Sequence, residues 1–200
     1  MLDDTYRTLA APVEGQYKEK GSKFLSFAFP VSTEEEAKAL LCAKRKEYFD
    51  AHHHCYAYVI GADKETYRLN DDGEPSGTAG RPIHGQMMSF NLTDALVLVV
   101  RYFGGVKLGV SGLSQAYRAA AHDALAHAAI VEKTINEHFR LEFEYALLND
   151  VMRLLKQYGI PFQDQQFGLQ CVLRIGVRRS MVERVRTSFS QLRGVVMEEI

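Results

Sequence analysis

The sequence predicts an α+β protein in two domains, residues 1–133 and 138–200. Three features carry that expectation. Residues 95–100 are apolar on both faces, as in a strand at the centre of a sheet covered on both sides. A polar stretch at residues 131–137 suits a linker. Beyond it the apolar pattern alternates between the strand and helix periods, in the order strand, helix, strand, strand, helix, strand. With 200 residues, 46% of them apolar and 24% charged, the chain can bury a real core. Its 24 Lys and Arg nearly balance 25 Asp and Glu, so any surface for nucleic acid or membrane must be a local patch.

In chain order, residues 15–23 separate two short extended stretches, and the aromatic-rich residues 24–31 read as a strand. Ser32 or Thr33, with Glu35 or Glu36 three residues on, forms a capping box that starts a helix through Ala37, Leu40 and Leu41. Lys44, Arg45 and Lys46 fall near its C-terminal end, where the helix dipole favours cations. The next strand, residues 52–60, puts His52, His54, Tyr56 and Tyr58 on one face and His53, Cys55, Ala57 and Val59 on the other. Contiguous histidines in a strand point apart and have no second ligand pair at zinc-like spacing, so packing or hydrogen bonding is expected of them and no metal. Residues 70–82 hold three glycines, two prolines and three carboxylates without one large apolar side chain, and cannot bury themselves. They read as a surface loop leading into a helix with Pro82 in its first turn. A turn at residues 91–94 precedes the central strand, residues 95–103. A glycine-rich turn, residues 104–112, and an alanine-rich helix, residues 113–129, follow it.

In the second domain, residues 138–145 alternate as a strand, and Asn149 caps a helix ended by Gly159 and Pro161. Residues 162–167 and 169–177 read as strands, 181–192 as an amphipathic helix and 194–200 as a last strand, the ferredoxin-like order βαββαβ. Arg174, Arg178, Arg179, Arg184, Arg186 and Arg193 fit either an RNA contact or a solvated face. Cys42, Cys55 and Cys171 are odd in number and include no CxxC pair, which favours reduced thiols and a cytoplasmic protein. The acidic start, Met1 to Asp4, lacks an apolar signal region, and no apolar run reaches membrane-spanning length, so no membrane association is expected.

Two places carry chemistry. A strand, a glycine-rich turn and a helix N-terminus together make an anion site, with free backbone N–H groups and the dipole aimed at the turn. The candidates are Arg81, Arg101, Gly104, Gly105, Lys107, Gly109, Ser111 and Gly112; the alternative is that the glycines only let the turn pass close to another backbone. Neither a P-loop nor a dinucleotide fingerprint is present. The second place is the loop, where Asp71, Asp72 and Glu74 suit holding a magnesium ion or, with His53 or His54 as base, acid–base work. Alternatively Asp71 and Asp72 accept backbone N–H bonds while Glu74 stays solvated. Cys55, in an apolar strand, is expected to be buried and inert.

The blocks His53-His54-Cys55, Asp71-Asp72-Gly73-Glu74-Pro75-x-Gly77-Thr78-Ala79-Gly80-x-Pro82 and Val100-Arg101-Tyr102-Phe103-Gly104-Gly105-x-x-Leu108-Gly109-x-x-Gly112-Leu113 resemble the signature of the YigZ/IMPACT family. The resemblance spans residues 14–130, and the last segment resembles the small second domain of bacterial members. It implies a first domain like ribosomal protein S5 domain 2 and a second like the last domain of elongation factor G. Eukaryotic members carry an extra RWD domain and restrain a starvation-response kinase by competing for its activator. No segment here matches an RWD domain, so that partner role is not expected to transfer. Both folds recur in translation factors. The leading expectation is therefore a translation-associated binding protein that contacts RNA or a ribosome-associated protein through the glycine turn, with no cofactor. The alternatives are an enzyme acting on a phosphate-containing substrate through Asp71, Asp72, His53 and His54, and a protein-interaction regulator marked by an exposed apolar patch.

Overall fold

The computed structural model describes residues 4–166 and 168–200 of the chain, which form two compact units. The first is Tyr6–Lys133; the second is Thr134–Ile200 together with Asp4 and Thr5.

The first unit is organised around one strand. Its elements are β1 (Thr5–Leu9), β2 (Val13–Glu19), β3 (Ser22–Pro30), α1 (Glu34–Glu47), β4 (His53–Ile60), β5 (Thr66–Asn70), α2 (Gly80–Ser89), β6 (Ala95–Tyr102), α3 (Gly109–Ala126) and β7 (Ile130–Thr134). Five strands make an antiparallel sheet in the order β2-β3-β6-β4-β5, with the fully apolar β6 at its centre. Period-two alternation sends Cys55, Ala57, Val97 and Val99 to the face covered by α2 and α3, and Tyr56, Tyr58, Leu96 and Leu98 to the face covered by α1. The alanines of α3 let it lie close to the sheet, with Ala116, Ala120, Ala121 and Ala124 all buried. The Thr33 hydroxyl caps α1 by accepting from the Glu36 N–H, while Glu36 reaches back to the N–H of Ser32.

Several boundaries differ from the sequence reading. Residues 15–23 do not separate extended stretches: β2 and β3 form a hairpin through Lys20 and Gly21, both with positive φ (44° and 79°), as the twist of a tight hairpin requires. Residues 131–137 are strand on either side of Ile135 rather than free linker, because β7 pairs with β1 and the next strand, β8 (Asn136–Glu144), begins two residues after β7 ends. Helix α3 begins at Gly109, so Gly109, Ser111 and Gly112 are its first turn and only residues 103–108 form the connection.

The second unit runs β8 (Asn136–Glu144), α4 (Leu148–Tyr158), β9 (Phe162–Gln166), β10 (Gln170–Arg178), α5 (Val182–Ser190) and β11 (Val196–Glu199). Its antiparallel sheet has the order β11-β8-β10-β9. Phe139, Leu141, Phe143, Leu173, Ile175 and Val177 of the sheet bury against Val151, Leu155, Val185 and Phe189 of the helices. Gly159 ends α4 in the left-handed conformation, φ 63°. Asn149 is not the cap of α4 but lies inside its first turn, since the helix starts at Leu148. The last residue of the expected strand 162–167 and the first three of the chain lie outside the described residues. No helix among the described residues is long and apolar enough to cross a membrane.

Candidate functional site

The loop between β5 and α2 is fastened from inside by its own carboxylates. Asp71 accepts three backbone N–H bonds, from Gly77 (2.8 Å), Ala79 (2.9 Å) and Gly80 (2.8 Å), and so caps α2 from the far end of the loop. Asp72 accepts from Arg45 of α1 at 2.6 Å and from the N–H of His54 at 2.7 Å. These are the structural bonds that a turn carboxylate makes. The two histidines lie on opposite faces of β4. His53 Nδ1 donates to the Asp72 carbonyl at 2.8 Å, and His54 Nε2 donates to the Tyr48 carbonyl at 3.1 Å. Burial, and then the Arg45 charge, hold the His54 pKa below the usual histidine range, so it stays neutral. Among the described residues no three His, Cys, Asp or Glu side chains gather closely enough to hold a metal ion.

Glu74 is the exception in the loop. It does not stay solvated: its side chain is 4% exposed and faces inward. Oε1 accepts from Arg101 Nη1 at 2.6 Å and from the Tyr117 hydroxyl at 2.8 Å, with His53 Nε2 3.8 Å away. A buried guanidinium needs a buried anion, and Glu74 supplies it. Arg101 Nη2 reaches the Ser22 hydroxyl at 3.4 Å, the same hydroxyl accepts from the Gly104 N–H at 3.2 Å, and Arg101 Nε is buried without a partner. The Cys55 thiol lies 3.3 Å from the Tyr117 oxygen and 3.0 Å from the Asp71 carbonyl. Burial pushes both the thiol and the phenol well above their ordinary ranges, so Cys55 is an uncharged, buried thiol.

The glycine turn divides by function. A Cβ on Gly104 would sit 1.9 Å from the Gly21 carbonyl carbon and 2.1 Å from the Ser22 nitrogen, so here glycine is required by the close crossing of the β2–β3 hairpin. Gly105 and Gly109 have positive φ (87° and 73°) and open space around them. Beside them Glu74, Arg101, Phe103, Lys107, Gly109 and Val110 line a cleft of about 350 Å³. Lys107 is exposed there and has no partner among the described residues. The other expected anion-binding residues lie elsewhere. Ser111 and Gly112 open onto a second cleft with Tyr17, Glu19 and Lys20, and Arg81 stands in a groove between α2 and α3. The arginines of the second unit are dispersed: Arg178 pairs with Asp4, Arg179 with Glu137, and Arg184 and Arg186 lie over the rings of Tyr158 and Phe139.

Sequence reasoning missed Tyr117 and Ser22 and misplaced Glu74. One signal could have found the pair. By period two, Arg101 shares with Val97 and Val99 the face of β6 covered by α2 and α3, and a cation on a buried face requires an anion.

Fold and site together define an α+β protein whose first unit locks a glycine- and carboxylate-rich loop onto the end of its central strand. The chain belongs to the IMPACT family: the Impact N-terminal domain matches residues 20–125. It is similar to YigZ of Escherichia coli strain K12, 35% identical over 175 residues that cover 86% of each chain. YvyE of Bacillus subtilis strain 168 is 35% identical over 153 residues, 76% of this chain and 70% of that one. A crystal structure described as a hypothetical protein superposes over 100% of this chain and 98% of its own, with TM-score 0.77 and 31% identity.

Proposed function

We propose that this protein is a cytoplasmic, translation-associated binding protein that contacts RNA or a ribosomal partner at the cleft beside the glycine turn. On this reading the first unit is an S5 domain 2-like domain and the second a ferredoxin-like domain, folds that recur in translation factors. One observation carries the binding reading over the enzyme reading. All three loop carboxylates are engaged in bonds that hold the fold, while Lys107 stands exposed and unpartnered among the described residues. Lys107 and the free N–H groups of the first turn of α3 supply phosphate contacts, and the half-exposed ring of Phe103 offers a base a stacking surface. Arg101 shapes the cleft wall rather than meeting phosphate, because Glu74 already neutralises it.

The test is crosslinking and pulldown of the tagged protein from cells, with sequencing of any RNA recovered, for the wild type and Lys107→Glu. Enrichment of ribosomal or transfer RNA that Lys107→Glu abolishes supports the reading. Recovery of proteins alone, equal for both forms, overturns it. A separate observation favours a protein-interaction regulator as the second reading: Phe49, 83% exposed just beyond the end of α1, edges an open cleft whose floor is Leu41 and Tyr56 and whose rim is Lys38, Arg45 and Lys46.

A further inference from the structure

The groove between α2 and α3 is a separate feature, with a volume of about 440 Å³. Arg81 and Gln86 face it from α2, and Ser114 and Arg118 face it from α3. None of these four side chains has a hydrogen-bond or ion-pair partner among the described residues, so the fold uses none of their polar groups. No carboxylate lines the groove. The two guanidinium groups therefore share it without an internal counter-ion.

One of its glycines points the same way. Gly77 and Gly85 both line the groove, but Gly77 has a positive φ (74°) that itself calls for glycine, whereas Gly85 does not, and a Cβ built on Gly85 would meet nothing within 4 Å. Gly85 lies inside α2, where glycine weakens a helix relative to alanine. No neighbouring chain needs its bareness, unlike that of Gly104. A bare helix surface between two unpaired arginines suits a ligand that must approach the backbone closely.

We propose that this groove binds a phosphate monoester. Two unpaired cations match the charge of a monoester, about −1.5 to −2 at pH 7, better than the single charge of a phosphodiester. Arg81 and Arg118 present planar forks that fit phosphate oxygens bidentately, and Ser114 and Gln86 add neutral hydrogen bonds. No aromatic ring lines the groove, so the phosphoryl group, and not a stacked base, is what it recognises. The volume exceeds that of bare phosphate and admits a sugar phosphate or the phosphorylated end of a strand. The inference does not rest on the RNA reading, which concerns the cleft at Lys107.

The test is isothermal titration of the full chain with ribose 5-phosphate, ribose, inorganic sulfate and a short RNA bearing either a 5′-phosphate or a 5′-hydroxyl. Ribose 5-phosphate is expected to bind and ribose not to. Arg81→Ala and Arg118→Ala should each weaken binding about tenfold or more, since charge-assisted bonds are the strong ones here. Gly85→Glu, which puts a carboxylate on the bare surface without disturbing a packed neighbour, should abolish binding while leaving the circular dichroism spectrum unchanged. Affinity should rise as pH is raised through the second ionisation of the phosphate near about 6. In the Lys107→Glu background, a phosphorylated RNA end that binds more tightly than ribose 5-phosphate, with the 5′-hydroxyl form silent, identifies a strand terminus as the source; equal affinity of the phosphorylated end and ribose 5-phosphate identifies a free sugar phosphate as sufficient. The proposal is overturned if ribose 5-phosphate and the phosphorylated RNA both fail to bind at millimolar concentration, if sulfate binds equally well at every pH, or if the Arg81→Ala, Arg118→Ala double variant binds as the wild type does. Lys107→Glu, whose effect belongs to the other cleft, should leave the ribose 5-phosphate titration unchanged.

Discussion

Replacing Glu74 by glutamine removes one charge from a pair whose side chains are only 4% and 6% exposed, and keeps nearly the same shape. The amide can still accept from Tyr117, but Arg101 is left as a buried cation facing a neutral group, with its Nε already without a partner. Breaking a buried ion pair from one side costs about 3–5 kcal/mol, and the retained hydrogen bonds place Glu74→Gln near about 3 kcal/mol. With two units in the chain a single melting curve can mix two transitions, so the assay must report on the first unit alone. Amide hydrogen exchange of β6 does so, and about 3 kcal/mol corresponds to protection lowered by about a hundredfold. Glu74→Gln combined with Arg101→Met removes both charges and should recover most of the loss, with a coupling energy of at least about 2 kcal/mol. If Glu74→Gln exchanges as the wild type does, or if the two changes simply add, Glu74 is not the counter-ion of Arg101. Arg101 would then be available to a ligand, contrary to the account given for the cleft.

The two glycines of the turn should respond differently to alanine. Gly104→Ala drives a Cβ into backbone that cannot rotate away, and should cost about 3 kcal/mol or more, the top of the overpacking range. Gly105→Ala meets no neighbour and costs only its left-handed backbone, about 1–2 kcal/mol; equal losses of β6 amide protection would refute the close crossing. His54 makes stability depend on pH in a definite sense. Its folded pKa lies below its ordinary 6.5, so on acidification the unfolded chain takes up a proton that the folded chain does not. Its contribution is full above that value and is lost as pH falls toward the folded pKa. The half-buried His84, lowered by burial, acts in the same sense, so His54→Gln should make stability less steep between about pH 7 and about pH 5 without making it flat. Identical slopes for the variant and the wild type would count against the assignment.

What the sequence revealed depended on whether a segment's surroundings were periodic. Strand β6, apolar at every position, and β4, with tyrosines on one face and Cys55, Ala57 and Val59 on the other, show their packing directly in their spacing. Strand β5 is exposed along most of its length at the sheet edge, and β7 is almost wholly exposed, so neither has an alternating pattern to betray it. The polar stretch at residues 131–137 reads as a linker for the same reason. Glu74 was hidden differently. Its neighbours Gly73 and Pro75 mark a surface turn, and its partners lie 27 and 43 residues away on β6 and α3. Local composition describes the backbone of that loop correctly and says nothing about one side chain turned beneath it.

That inward turn resolves a tension in the charge balance. Binding phosphate ordinarily needs an excess of cations, yet the whole chain carries a formal charge of −1. Charge counted along a sequence is not charge presented to solvent. Asp71 is spent on three backbone N–H groups, and Glu74 is buried against Arg101. Asp72 is paired with Arg45. On the two clefts flanking the loop, the cations left without partners among the described residues are Lys107 on one side and Arg81 and Arg118 on the other. A nearly neutral protein can thus carry a local positive field where its acidic loop is densest, because that loop turns its negative charges inward. It follows that Asp71→Asn should act first on loop geometry and only second on charge. Any loss of anion affinity in that variant should track exchange of the Gly77, Ala79 and Gly80 amides. A variant that keeps those amides protected and still changes affinity would show that Asp71 acts through its field and not through its bonds.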